Sequence, residues 1–92
     1  MVLLDLKPRA VKFIKTLPPK HKPQIKNYIL SLQKNPTPQD VRPLIGYAPY
    51  MRADVGEYRI VYKHEPKKNL ITVVVVGKRN DGAIYRIAKR VL

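Results

Sequence analysis

The residues of this chain from which chemistry could be built are arginines and a tyrosine. From Val73 to Leu92 it reads VVVVGKRNDGAIYRIAKRVL. The apolar run ends at Gly77, presents Lys78 and Arg79, turns through Asn80-Asp81-Gly82 and reaches Tyr85, six residues after the arginine. A guanidinium just off a rigid strand can grip a phosphate through two parallel hydrogen bonds. With a tyrosine close by, this is a catalytic layout for an enzyme without His, Asp or Cys chemistry. The plainer reading of the same residues is a basic RNA- or DNA-binding surface. His21 and His64 are far apart and set among lysines, and there is no cysteine. Neither a metal centre nor a Ser-His-Asp arrangement is supported, so no metal and no cofactor is expected.

Composition narrows the partners. The chain has 92 residues, enough for one domain spanning 1–92 and one modest core. Nineteen Lys and Arg stand against six acids, for a formal charge of +13. That excess on a small domain favours a polyanionic partner. Residues 1–40 hold seven lysines and only Arg9, whereas residues 41–92 hold Arg42, Arg52, Arg59, Arg79, Arg86 and Arg90. Diffuse attraction is therefore expected from the first half and specific phosphate contacts from the second. The start, MVLLDLKPRA, lacks the apolar core of a signal peptide. The apolar runs fall far short of the ~20 residues that span a bilayer. A soluble, cytoplasmic protein with no membrane partner is expected.

The elements that must position these residues follow from periodicity. Val2 to Leu6 reads as a short strand. Ala10, Phe13, Ile14 and Leu17 have helical spacing behind Pro8, which suits a first helical turn. Pro18-Pro19 ends that helix, and a second runs roughly from Pro19 to Lys34, with Pro23 marking either a later start or a kink. Asn35 to Pro43 reads as a proline-rich loop. The period then becomes two, giving strands at Tyr50 to Asp54, Glu57 to His64 and Leu70 to Val76. In the middle strand Tyr58, Ile60 and Tyr62 share one face; Arg59, Val61 and Lys63 share the other. Ile84, Ile87, Ala88 and Val91 then space a short final helix. The expected fold is α+β: an N-terminal strand, a two-helix hairpin, a three-stranded antiparallel meander and a C-terminal helix. It has one curved sheet with helices on one face, which leaves Arg59 on the open face.

This order, with the segments GEYRIVYKH (Gly56 to His64), VVVVGKRNDGAIY (Val73 to Tyr85) and the closing AKRVL, resembles the RelE/ParE toxin superfamily of type II toxin–antitoxin systems. The YR-x-V-Y strand, the GKR and the later tyrosine resemble its RelE branch in particular. The resemblance implies a ribosome-dependent endoribonuclease that cleaves mRNA in the ribosomal A site. It implies that Arg59 holds the scissile phosphate, Arg79 stabilises the transition state or leaving group, and Tyr85 is the general base. Two alternating lysines of the preceding strand in RelE fall at Tyr50 and Arg52, so one cation is kept as arginine and one is absent. It further implies a RelB-like antitoxin with an acidic, extended segment, a toxin–antitoxin hetero-oligomer, and contacts to rRNA. Lys78, Tyr50, Lys63, Lys89 and Arg90 are the candidate RNA contacts around the centre.

RNA cleaves when its 2′-OH attacks the adjacent phosphorus, leaving a 2′,3′-cyclic phosphate and a 5′-OH. The implied set would remove the 2′ proton, balance charge on the phosphoryl oxygens and assist the leaving oxygen. Structural alternatives stand beside each role. Tyr85 also fits the edge of the final helix's apolar stripe, Arg59 could pair with Glu57 or Asp54, and Arg79 could decorate a turn with Asp81. Tyr47 and Tyr50 could stack on a base or pack at the rim, and Lys89-Arg90 could be plain solvated charge. Two other functions remain open: a ParE-like inhibitor of DNA gyrase, and a non-catalytic basic RNA-binding module.

Overall fold

The computed structural model describes the backbone of residues 1–92 and every side chain but that of Asp81. In chain order the elements are β1 (Leu3–Leu6), α1 (Pro8–Lys15), α2 (Lys22–Leu32), β2 (Arg42–Pro43), β3 (Met51–Val55), β4 (Tyr58–Glu65), β5 (Leu70–Lys78) and α3 (Asp81–Val91). One sheet has the order β1-β5-β4-β3-β2; β1 lies parallel to β5, and the other neighbours are antiparallel. The α+β class, the helical hairpin and the β3–β4–β5 meander agree with the sequence reading. Pro23 proves to mark a late helix start, since α2 begins at Lys22 and the proline occupies its first turn. The β3–β4 turn places Gly56 at φ +59°, a left-handed conformation that glycine adopts without cost.

Pleat alternation divides the interior into two cores. Ala53, Val55, Tyr58, Ile60, Tyr62, Ile71, Val73 and Val76 face α1 and α2, meeting Ala10, Leu17, Ile25, Ile29 and Leu32. On the other face Val61, Val74 and Val75 meet Leu44 and the α3 residues Ile84 and Ala88. Val73 and Val74 fall in different cores, yet Val74 and Val75 share one. The cause is a bulge: Val61 pairs with Val75 and Tyr62 with Val73, so Val74 is the extra residue.

Two expectations change here. The helices do not all lie on one face, because α3 covers part of the face expected to be open. Val61, Val74 and Val75 make an apolar patch there that water would otherwise reach, and Ile84 and Ala88 bury it. Segment 35–43 is not all loop: its end forms β2, with Arg42 opposite Arg52 and Pro43 opposite Met51. Two residues, one of them proline, carry no periodicity from which a strand could be read.

The α1/α2 core yields two stability predictions. Ile60 is fully buried, and Ile60→Ala should lower unfolding free energy by ~2–5 kcal/mol in urea titration. The Tyr62 hydroxyl donates to the Pro36 carbonyl at 2.6 Å, tying the 35–43 segment to β4, and burial pushes that phenol's pKa up. Tyr62→Phe should cost ~1 kcal/mol through the lost bond alone, measured in the same titration.

Candidate active site on the α3 face of the sheet

The β-ladder register brings Arg52, Arg59 and Lys63 onto one face. Arg42, Arg52, Val61 and Val75 form one row across β2, β3, β4 and β5; Asp54, Arg59 and Gly77 form the next. Rows on the same face are spaced by two residues, about 7 Å. Arg79 follows one step beyond the end of β5, where its N–H donates to the Glu57 carbonyl at 2.9 Å. The Asn80 side chain accepts from the Ala83 N–H at 3.1 Å and so caps α3. Gly77 lets that helix lie close, since a Cβ there would meet Ile84 Cδ1 at 3.3 Å.

At the centre is an ion cluster. Arg59 Nε donates to Asp54 Oδ1 at 2.6 Å, and Arg59 Nη2 donates to Oδ2 at 3.3 Å, a two-pronged grip between cross-strand partners. Arg79 Nε lies 3.9 Å from Asp54 Oδ2. The Arg59 side chain is only 7% exposed, against 41% for Asp54 and 55% for Arg79. The Arg59 hydrogen bond holds the Asp54 carboxyl below its usual pKa; burial opposes this, and the charges of Arg59, Arg79 and Arg52 reinforce it. Arg59 is therefore not on an open face: its side chain is buried. Of the two pairings considered for it, the one with Asp54 is formed. The pairing of Arg79 with Asp81 falls outside the described side chains.

Arg52, half-buried beside this cluster, keeps its Nε shielded with no hydrogen-bond partner among the described residues. Tyr50 precedes β3, and Lys63 Nζ lies 5.5 Å from its ring centroid and 3.4 Å from Glu65. Tyr85 is half-buried on α3; its hydroxyl oxygen accepts the Ile45 N–H at 3.1 Å and its ring tilts against Tyr47 at 6.3 Å. It thus ties α3 to the 44–50 loop, as well as belonging to the second core's edge.

Three expected contacts are not brought into this group. Lys78 is opposite Tyr58, which packs on the α1/α2 face, so the pleat sends it away from Arg59. Lys89 and Arg90 are exposed in the last turn of α3. Conversely, Arg42 joins the basic face through β2, and Asp54 proves to be its organising acid. The only sequence signal for Asp54 was its two-residue hairpin to the Arg59 strand.

The sequence profile described as ParE toxin of type II toxin-antitoxin system, parDE, matches residues 4–82. No curated protein matches the sequence. Among solved structures, a double-mutant E. coli toxin RelE in the free state superposes with TM-score 0.79 and 26% identity, covering 99% of this chain and 98% of that one. The RelE of the archaeal RelE-RelB complex from Pyrococcus horikoshii OT3 gives 0.76 and 25%, covering 86% and 96%. The RelE chain of the intact E. coli RelBE toxin-antitoxin complex gives 0.75 and 24%, over 87% and 99%, a likeness of fold. With 79 of its 92 residues inside the matching profile, the chain belongs to the RelE/ParE toxin superfamily of type II toxin–antitoxin systems and is RelE-like in structure.

Proposed function

We propose that this toxin is a ribosome-dependent endoribonuclease, acting in the cytoplasm on mRNA in the ribosomal A site and so halting translation. The observation that carries the reading is the grouping of Arg52, Arg59 and Arg79 on one sheet face, with Tyr85 on the helix that packs on that face. Arg79 is the exposed cation of the cluster and makes the first phosphate contact. Arg59 and Arg52 lie deeper and balance charge on the phosphoryl oxygens. Tyr85, acting as the phenolate, takes the 2′ proton as that oxygen bonds to phosphorus; the P–O5′ bond breaks, and the departing 5′ oxygen takes up a proton from water. The ribosome contributes by holding the RNA in an in-line geometry, which is worth several kcal/mol in favourable cases. Lys63, Tyr50, Lys89 and Arg90 make outlying RNA contacts.

The solved relatives that carry a RelB chain support an antitoxin partner for this protein and a toxin–antitoxin hetero-oligomer. A surface of formal charge +13 suits an acidic, extended partner. Val91 and Leu92, 41% and 39% exposed at the end of α3, offer it an apolar foothold.

A second reading is favoured by the ParE name of the matching profile and by the burial of Arg59. In it the chain is a non-nuclease toxin that inhibits DNA gyrase. Purified ribosomes with a defined A-site codon decide between the two. Arg79→Ala and Tyr85→Phe should each slow cleavage by ~10²-fold or more; wild-type rates in both would remove these residues from the mechanism. In cells, brief induction should place new mRNA 5′ ends within translated codons, whereas DNA damage without such cuts selects the gyrase reading. A chain ending at Arg90 should bind the antitoxin ~10-fold more weakly in calorimetry, and unchanged affinity would exclude the Val91–Leu92 foothold.

A further inference from the structure

Asp54 presents a chemical problem that the proposed cleavage does not use. A guanidinium as buried as that of Arg59 requires an anion beside it, and the cross-strand carboxylate supplies one with both oxygens. A carboxylate and a phosphate present the same pair of acceptor oxygens to an arginine fork. Asp54 thus fills the edge of Arg59, through Nε and Nη2, that a phosphate would grip. The carboxylate is not sealed in: it is 41% exposed and flanked by the exposed Arg79 at 3.9 Å. It stands at the solvent boundary, between the arginine an incoming phosphate meets first and the one it must reach.

We infer that Asp54 is an internal stand-in for the RNA phosphate, and that RNA engages Arg59 by exchanging with its carboxylate. The inference rests on reading this face as an RNA-phosphate site and adds how that site is regulated. Phosphates that merely drift onto the basic surface meet Arg79 but do not displace a two-pronged ion pair. A phosphate held in register does so, because its position costs no further ordering. The exchange raises selectivity for a pre-positioned strand at the expense of affinity for loose RNA.

The test uses the full chain and a single-stranded 2′-O-methyl RNA, which cannot be cleaved because its 2′ oxygen is blocked. Binding is followed by fluorescence anisotropy across a salt series. Asp54→Asn should bind about tenfold more tightly at low salt. Its slope of log K against log salt should steepen by about 0.7, the increment for one more neutralised phosphate on a single strand. Asp5→Asn makes the same change of charge on β1, where Asp5 pairs with Lys7 at 2.9 Å, and should keep the wild-type slope. A folded Asp54→Asn with unchanged or weaker binding overturns the inference. An equal steepening in Asp5→Asn would reduce the effect to net charge and overturn it as well.

Should Asp54→Asn fail to fold, nitrogen-15 NMR of the wild-type protein decides. The Arg79 Nε–H resonance, assigned by its loss in Arg79→Lys, should shift on saturation with the same RNA, while the Arg59 Nε–H resonance, assigned likewise, stays in place because a loose strand leaves its pair with Asp54 intact. An Arg59 resonance that shifts together with that of Arg79 shows that Asp54 does not hold loose RNA off and overturns the inference. The two readings fail differently. If wild-type protein binds RNA without these effects, Asp54 is only structural and the nuclease reading is untouched. If wild-type protein neither binds the RNA nor cuts ribosome-bound mRNA, the phosphate site itself is refuted, and the exchange with it.

Discussion

Strand β4 is covered on both faces, and most of the molecule is arranged to satisfy that condition. Tyr58, Ile60 and Tyr62 are met by α1 and α2, while Val61 is met by α3. The one charged residue in its buried stretch is Arg59, and burial of a guanidinium is tolerable only with a counter-ion in place. Asp54 must therefore stand directly across the ladder. The two-residue turn at Gly56 places it there. Arg79, from the end of β5, approaches the same carboxylate to 3.9 Å. The basic site is thus a consequence of the fold's central constraint as much as of any surface charge.

The cover over the second face has a chemical consequence. Helix α3 is anchored by Ile84 and Ala88 on a valine patch, by its Asn80 cap, and by the contact of Tyr85 with the Ile45 N–H. It carries the tyrosine on the face that bears the arginines. A site built this way is organised before substrate arrives, which lowers the reorganisation needed during reaction. On the proposed reading, that property suits an enzyme whose substrate comes already held in place by a larger particle.

Much of the frame was legible in the chain itself. Helical and two-residue periods are local, and each placed its element to within a few residues. The GKR turn and Tyr85 were visible as a strand end followed by a helix start. What stayed hidden depended on pairing. The bulge at Val74 shifts which valines face which core, and no one-dimensional pattern in VVVV records it. Strand β2 exists because Arg42 and Pro43 find β3, not because they favour extension. Lys78 is next to Arg79 in sequence, yet the pleat turns it to the other face.

The sequence by itself determined the element order, the strongly basic character and the identity of the arginine and tyrosine candidates, because these follow from residue type and local period. Only the tertiary structure decided that α3 closes over the face carrying Arg59. Only it could decide that Arg59 is buried against Asp54 while Arg79 stays exposed. Exposure and ion pairing are properties of neighbours brought together across the sheet, and the free energy of a buried charge depends on those neighbours rather than on the residue that bears it.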